Sequence, residues 1–147
     1  MKSHEWLDRV LESADPIEQF SNAWRGFNGL FSSNDKVSEL CKIHNYLVAN
    51  VSEDTATEII EAHEGEIDYL LSMPVVDMRG NGKNTSENIN SYKKTSSNFQ
   101  RVNSIICIIY QIRCNLEHGQ KSPTRERDVE LCRSSWPIVA EIIDKCT

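Results

Sequence analysis

The sequence predicts an all-α fold, and three observations predict it. Apolar residues recur at three- and four-residue spacing along most of the chain. No segment alternates with the period of two that a half-buried strand needs, and capping residues stand where the periodic runs begin. The expected architecture is a bundle of about five to six helices with a long polar loop before the central helix. At 147 residues, 39% of them hydrophobic, the chain fits one domain over 1–147, large enough to bury roughly 70% of its unfolded surface.

Taken in order, residues from about Ser3 to Ser13 place Trp6, Leu7, Val10 and Leu11 on one side. "DPIE" at 15–18 then starts a second helix. Asp15 can cap free N–H groups, Pro16 suits the first helical position, and Glu18 stands where a capping-box partner would. Behind it, Ile17, Phe20, Trp24, Phe27 and Leu30/Phe31 make one wide apolar face. Gly26 and Gly29 within that helix predict close approach of another backbone. A third helix is expected over about Asp35–Ala49, with Val37, Leu40, Cys41, His44, Leu47 and Val48 inward. Ser52 is the expected cap of a fourth, to about Glu64, with Gly65 interrupting before Ile67–Leu71 and Met73-Pro74 ending the element.

From Ser72 to about Asn98 the chain turns polar ("RGNGKNTSENINSYKKTSSN"), which predicts a mobile connection. The longest helix follows, over about Asn98–Glu117. Apolar on most sides, it is expected at the centre of the bundle. A last helix over about Asp128–Lys145 carries Pro137, expected to bend it.

The central helix ends in "IIYQIRCNLEHGQK", presenting Arg113, Asn115 and His118 before Gly119. Arg and His interact well with the free carbonyls of a helix end, so a purely structural reading is available. The chemical reading is equally concrete. A guanidinium offers a planar charged fork to phosphate oxygens, and an imidazole with a reference pKa near ~6.5 exchanges a proton at neutral pH. Together they could cleave RNA without a metal: a base takes the ribose 2′-OH proton, the oxygen attacks phosphorus, and a cation steadies the developing charge. Residues 113 and 118 differ by roughly 140° on a continuous helix, so convergence needs Arg113's long stem and a helix end at Gly119.

"IRCNLEHGQK" at the end of a long apolar helix, followed by a charged loop and a final helix, resembles the HEPN domain family. That family's signature is an Arg, a polar residue, and a His after four to six intervening positions; "RCNLEH" gives four. "FSNAWRGFNGLF" at 20–31 is similar to the aromatic helix seen early in many single-domain members. The resemblance implies an all-helical homodimer acting as a metal-independent endoribonuclease, with the Arg/His pairs meeting across the dimer interface and no cofactor. Carried over by position, Arg113 and His118 are the catalytic pair, and Asn115 holds one of them or the phosphate. The family also implies RNA as substrate, a cytoplasmic toxin or anti-phage defence effector, and an antitoxin or defence-system protein as partner. Here Cys114 directly follows the Arg, where the family has a polar residue, and Gln120 replaces the modifiable Tyr of some members. A non-catalytic HEPN-type module binding RNA, a nucleotide or a partner protein is the alternative. A third reading is an interaction subunit in which Arg113 and His118 only cap a helix.

Charge distribution leaves room for a polyanion despite a net −6. Residues 1–77 carry 5 Lys and Arg against 15 Asp and Glu, whereas 78–133 carry 10 against 5. Lys121, Arg125 and Arg127 follow the motif and could touch flanking phosphates or simply face solvent; Arg79, Lys83, Lys93 and Lys94 are weaker candidates. No secretory signal is expected in "MKSHEWLDRV", and "IICIIY" is far shorter than the ~20 residues of a membrane span. Five cysteines without zinc-like spacing suit reduced, mostly buried thiols in a cytosol. "HEGE" at 63–66 lacks metalloprotease spacing and reads as a solvated helix end, so no metal site is expected. His44 is expected as a hydrogen-bonded core residue, and Trp6, Trp24 and Trp136 as core.

Overall fold

The computed structural model describes residues 2–31, 36–117 and 126–147. Among them the chain forms eight helices and no strand, with one isolated bridge between Val76 and Asn84. The helices are α1 (Lys2–Glu12), α2 (Pro16–Asn28), α3 (Glu39–Asn50), α4 (Glu53–Ala62), α5 (Glu64–Leu71), α6 (Ser86–Lys94), α7 (Asn98–Glu117) and α8 (Glu126–Cys146). No described helix is long and apolar enough to cross a membrane.

Eight rather than five or six helices have two causes. First, α4 and α5 divide at His63, whose backbone (φ −130°, ψ 34°) leaves the helical region two residues before Gly65. The His63 ring is held between Glu66 Oε1 at 2.9 Å and Glu141 Oε1 at 3.3 Å, so "HEGE" is a packed junction against α8 and not a solvated end. Second, the polar 72–98 stretch folds. Its α6 buries Ile89 and half-buries Tyr92, too weak a periodicity to stand out from a polar sequence.

The connection expected to be mobile has a hydrogen-bonded core. Asp77 is buried, accepts from the Arg79 backbone N–H and guanidinium and from Asn81 Nδ2, and its own N–H reaches Lys83 O at 2.9 Å. These donors hold the Asp77 carboxyl far below the usual carboxylate range. Gly80 (φ 80°) and Gly82 (φ 76°) supply the left-handed turn, and Val75 N–H donates to Thr85 Oγ1 at 2.8 Å across its base.

Capping sets several helix starts. Ile17 N–H donates to Asp15 Oδ1, Cys41 N–H to Ser38 Oγ and Thr55 N–H to Ser52 Oγ. Glu18 makes no capping-box bond to Asp15; instead the Asp15 N–H donates to Ser13 Oγ and Gln19 Nε2 to Ser13 O. The start of α7 is capped from another helix, since Glu53 of α4 accepts from Asn98 N–H at 2.7 Å and Phe99 N–H at 2.9 Å. Those backbone donors lower the Glu53 pKa.

The core is one continuous cluster. α7 contributes Val102, Ile105, Ile106, Ile108, Ile109 and Ile112, all buried, and meets α3, α4, α5, α6 and α8. α2 lies between α1 and α8, and its aromatic ladder reaches both neighbours of the site described below: Trp24 meets Tyr110 of α7, and Phe27 meets Tyr46 of α3. α8 continues as helix through Pro137. Gly26 behaves as expected, because a Cβ there would lie 3.0 Å from Ser3 O and 3.2 Å from Ile143 Cδ1. Gly29 does not, having only ordinary contacts at 3.5 Å and beyond. Gly26→Val is therefore expected to cost about 2–3 kcal/mol in urea unfolding by forcing α1 off α2; an unchanged midpoint would show that the two helices can separate freely.

α3 departs most from expectation. Only Ile43 and Leu47 are buried, while Val37, Leu40, Cys41, His44 and Val48 remain exposed. His44 is hydrogen-bonded, to Asn103 at 3.0 Å, but outside the core. None of the five cysteines forms a disulfide, and only Cys132 is fully buried.

Candidate functional site

The two stretches singled out in the sequence face one cleft. On α2 the stripe Phe20, Ala23, Trp24 and Phe27 turns inward, so Ser21, Arg25 and Asn28 fall at i, i+4 and i+7 along the adjoining strip. That strip, with Trp6 of α1, forms one wall of a cleft of about 500 Å³; Arg113, Leu116 and Glu117 at the end of α7 form the other. Trp24 joins the first wall, and its indole N–H has no acceptor among the described residues.

Two guanidiniums line this cleft in different electrostatic states. Arg113 Nη1 stands 3.0 Å from Glu39 Oε2 of α3 and 3.0 Å from Glu117 Oε2, and its Nη2 donates to Glu117 Oε1 at 3.3 Å. The second oxygen of Glu39 is buried without a donor among the described residues. Arg25 lies over the Trp6 ring at 5.3 Å and donates to Asn22 Oδ1 at 3.3 Å, yet forms no ion pair among the described residues. Arg9 sits 5.9 Å from the same ring, so Trp6 is a cleft residue and not part of the core.

Two other titratable groups at this end of α7, Tyr110 and Cys114, stay protonated at neutral pH. Burial, then the neighbouring Cys114, pushes Tyr110 up to about 12. Burial likewise raises the Cys114 thiol, outweighing Arg113 and the Tyr110 hydrogen bond, so Cys114 is no reactive thiolate. Neither serves as a base near pH 7.

Arg113 and Asn115 do not share this site. Two helical steps rotate them about 200° apart. Asn115 is 1% exposed and its amide is spent on the 75–85 hairpin: Nδ2 donates to Val76 O at 2.9 Å, while Oδ1 accepts from Met78 N–H at 3.2 Å and Gln111 Nε2 at 3.0 Å. Arg127 lines another cavity, of about 330 Å³, between that hairpin and α8; its Nη2 donates to Met73 O at 2.9 Å and its guanidinium covers Tyr69 at 5.2 Å. His118, Lys121 and Arg125 lie outside the described residues. Among the described residues no three His, Cys, Asp or Glu side chains are grouped to hold a metal ion.

Sequence reasoning missed Arg25, Glu39 and the cleft role of Trp6. Arg25 had a signal, being the single cation inside the aromatic stretch 20–31. Glu39 had none, since its partner is 74 residues away. No family model matches the chain, nor does any curated protein or solved structure.

Proposed function

We propose that this chain is a metal-independent, HEPN-type endoribonuclease of the cytoplasm in which Arg113 and His118 act on the scissile phosphate. The observation that carries the reading is the shared cleft: Arg113 lines it opposite the aromatic helix, and His118 is the second residue after Leu116 of its wall. His118 takes the 2′-OH proton, the ribose oxygen forms its bond to phosphorus, and the 5′ oxygen leaves with a proton. The products are a 2′,3′-cyclic phosphate and a 5′-hydroxyl. Arg113 steadies the negative charge on the non-bridging oxygens as it develops. Asn115 positions this end of α7 by tying it to the hairpin.

An in-line displacement wants a base on one side of phosphorus and an acid on the other, and a second copy related by a two-fold axis supplies the second imidazole. Support for a homodimer comes from α3. Val37, just before that helix, and Leu40 and Val48 within it are uncovered apolar residues a second copy would cover, and Leu40 directly follows the Glu39 that pairs with Arg113. The cellular role that goes with this activity is a toxin or anti-phage effector held in check by a partner protein.

One observation favours a second reading. Arg113 is already engaged by two carboxylates, as in a non-catalytic module that binds RNA, a nucleotide or a protein. Expression of the wild type beside His118→Ala separates the two. The ribonuclease reading expects cellular RNA to be degraded by the wild type and spared by the variant, with unchanged helical circular dichroism. Intact RNA in both cultures would favour the binding module.

A further inference from the structure

The two arginines of the cleft differ in what an incoming anion meets. At Arg113, a phosphate must displace Glu39 and Glu117. At Arg25 it meets a guanidinium already oriented by the Trp6 ring and Asn22, with no carboxylate in ion-pair contact among the described residues, although Glu117 lines the same cleft and Glu12 and Glu18 line the neighbouring cavity. An oriented fork loses little conformational freedom on binding, and one outside such contact gives up no existing ion pair. Ground-state attraction therefore concentrates on Arg25, whereas Arg113 gains most when extra charge develops on phosphorus.

The space beside Arg25 suits one nucleotide unit. At about 500 Å³ the cleft falls in the range of ligand pockets, with Trp24 and Leu116 as apolar wall and the Asn28 amide as a group that can donate and accept.

We propose that Arg25 is the phosphate anchor of a nucleotide-binding cleft between α1, α2 and the end of α7, receiving one base of single-stranded RNA next to the phosphate on which Arg113 acts. It relies on the ribonuclease reading for the identity of the strand and not for the cleft itself. Specificity for a base then arises at Asn28 and the apolar wall, and affinity arises at Arg25.

The test uses a mixed-sequence hexanucleotide of 2′-O-methyl RNA, which cannot be cleaved because its attacking hydroxyl is blocked. Binding is read from quenching of tryptophan fluorescence across a salt series, with the full chain. Each neutralised phosphate contributes about −0.7 to the slope of log K against log salt, so Arg25→Ala should flatten the slope by about 0.7 while weakening binding about tenfold. Arg25→Lys keeps the charge and should restore the slope. Arg25 is exposed, so circular dichroism of the variants should match the wild type. A wild type that does not bind, a slope unmoved in Arg25→Ala, or equal binding of an oligoglutamate of the same charge would overturn the proposal. Cleavage of ordinary RNA is scored in parallel. Loss of binding in Arg25→Ala without any wild-type cleavage would keep the cleft and remove the ribonuclease reading. Cleavage with binding indifferent to residue 25 would do the reverse.

Discussion

Asn115→Ala is expected to lower stability by about 2–3 kcal/mol and to loosen the hairpin between Val75 and Thr85. The side chain is buried and makes three hydrogen bonds, two of them to the backbone of Val76 and Met78. Truncation leaves a carbonyl and an N–H without their partner, each costing about 1–3 kcal/mol where water does not reach. The bond to the Val76 carbonyl is only partly buried, so water offsets part of its loss and the total stays near the lower end. For a domain of this size the loss corresponds to roughly 5–10 °C in melting temperature. Hydrogen exchange locates it: the Asp77 N–H, bonded to Lys83 O, and the Met78 N–H should lose protection before the α7 amides do. A variant with the wild-type melting temperature and an unchanged hairpin would show that Asn115 is free for a ligand.

Arg113→Ala is expected to reduce RNA cleavage by about 10²–10³-fold while changing stability by about 1 kcal/mol or less. The two magnitudes come from different physics. Removing a preorganised donor aimed at developing charge costs about 2.7–4 kcal/mol of transition-state stabilisation. The ion pairs with Glu39 and Glu117 are partly solvated, Glu117 being 55% exposed, and pairs of that kind contribute about 0.2–1 kcal/mol to folding. Arg113→Lys keeps a charge for the phosphate but loses the planar fork, so it should recover only part of the rate. A helix-capping Arg113 gives the opposite pattern: a drop in thermal stability with no change in RNA. The contrast between Arg113, which loses rate, and Arg25, which loses binding, separates the two sides of the cleft.

Long, strongly periodic helices were legible in the sequence. α2 and α7 declare themselves by unbroken apolar stripes, and Asp15, Ser52 and Pro16 act at the helix starts where they were read. What was not legible depends on partners remote in sequence. The cap of α7 is Glu53, and nothing near residue 98 announces it. The break at His63 follows from Glu141 of α8, where sequence reasoning pointed to Gly65. The polar 72–98 stretch looked structureless because its order comes from one buried carboxylate, Asp77, instead of from an apolar stripe.

The candidate site was half legible for the same reason. Residue types at 113, 115 and 118 suggested phosphate chemistry, but helical rotation carries Asn115 away from Arg113 and into the hairpin. The opposite wall of the cleft needed the fold, because only packing of α1 and α2 on α7 brings Trp6 and Arg25 across from Arg113. α3 was misread in an informative way. A stripe of Val37, Leu40 and Val48 with helical spacing signals burial, and this chain by itself leaves it uncovered.

The central claim is tested most directly by the ends left on a cleaved RNA. Purified protein, a single-stranded RNA and excess EDTA are incubated, and the fragments are analysed by mass. Arg113 and His118 acting as described give 2′,3′-cyclic phosphate and 5′-hydroxyl ends with EDTA present, and none with His118→Ala. Cleavage abolished by EDTA, fragments carrying 3′-hydroxyl and 5′-phosphate ends, or full cleavage by His118→Ala would contradict it.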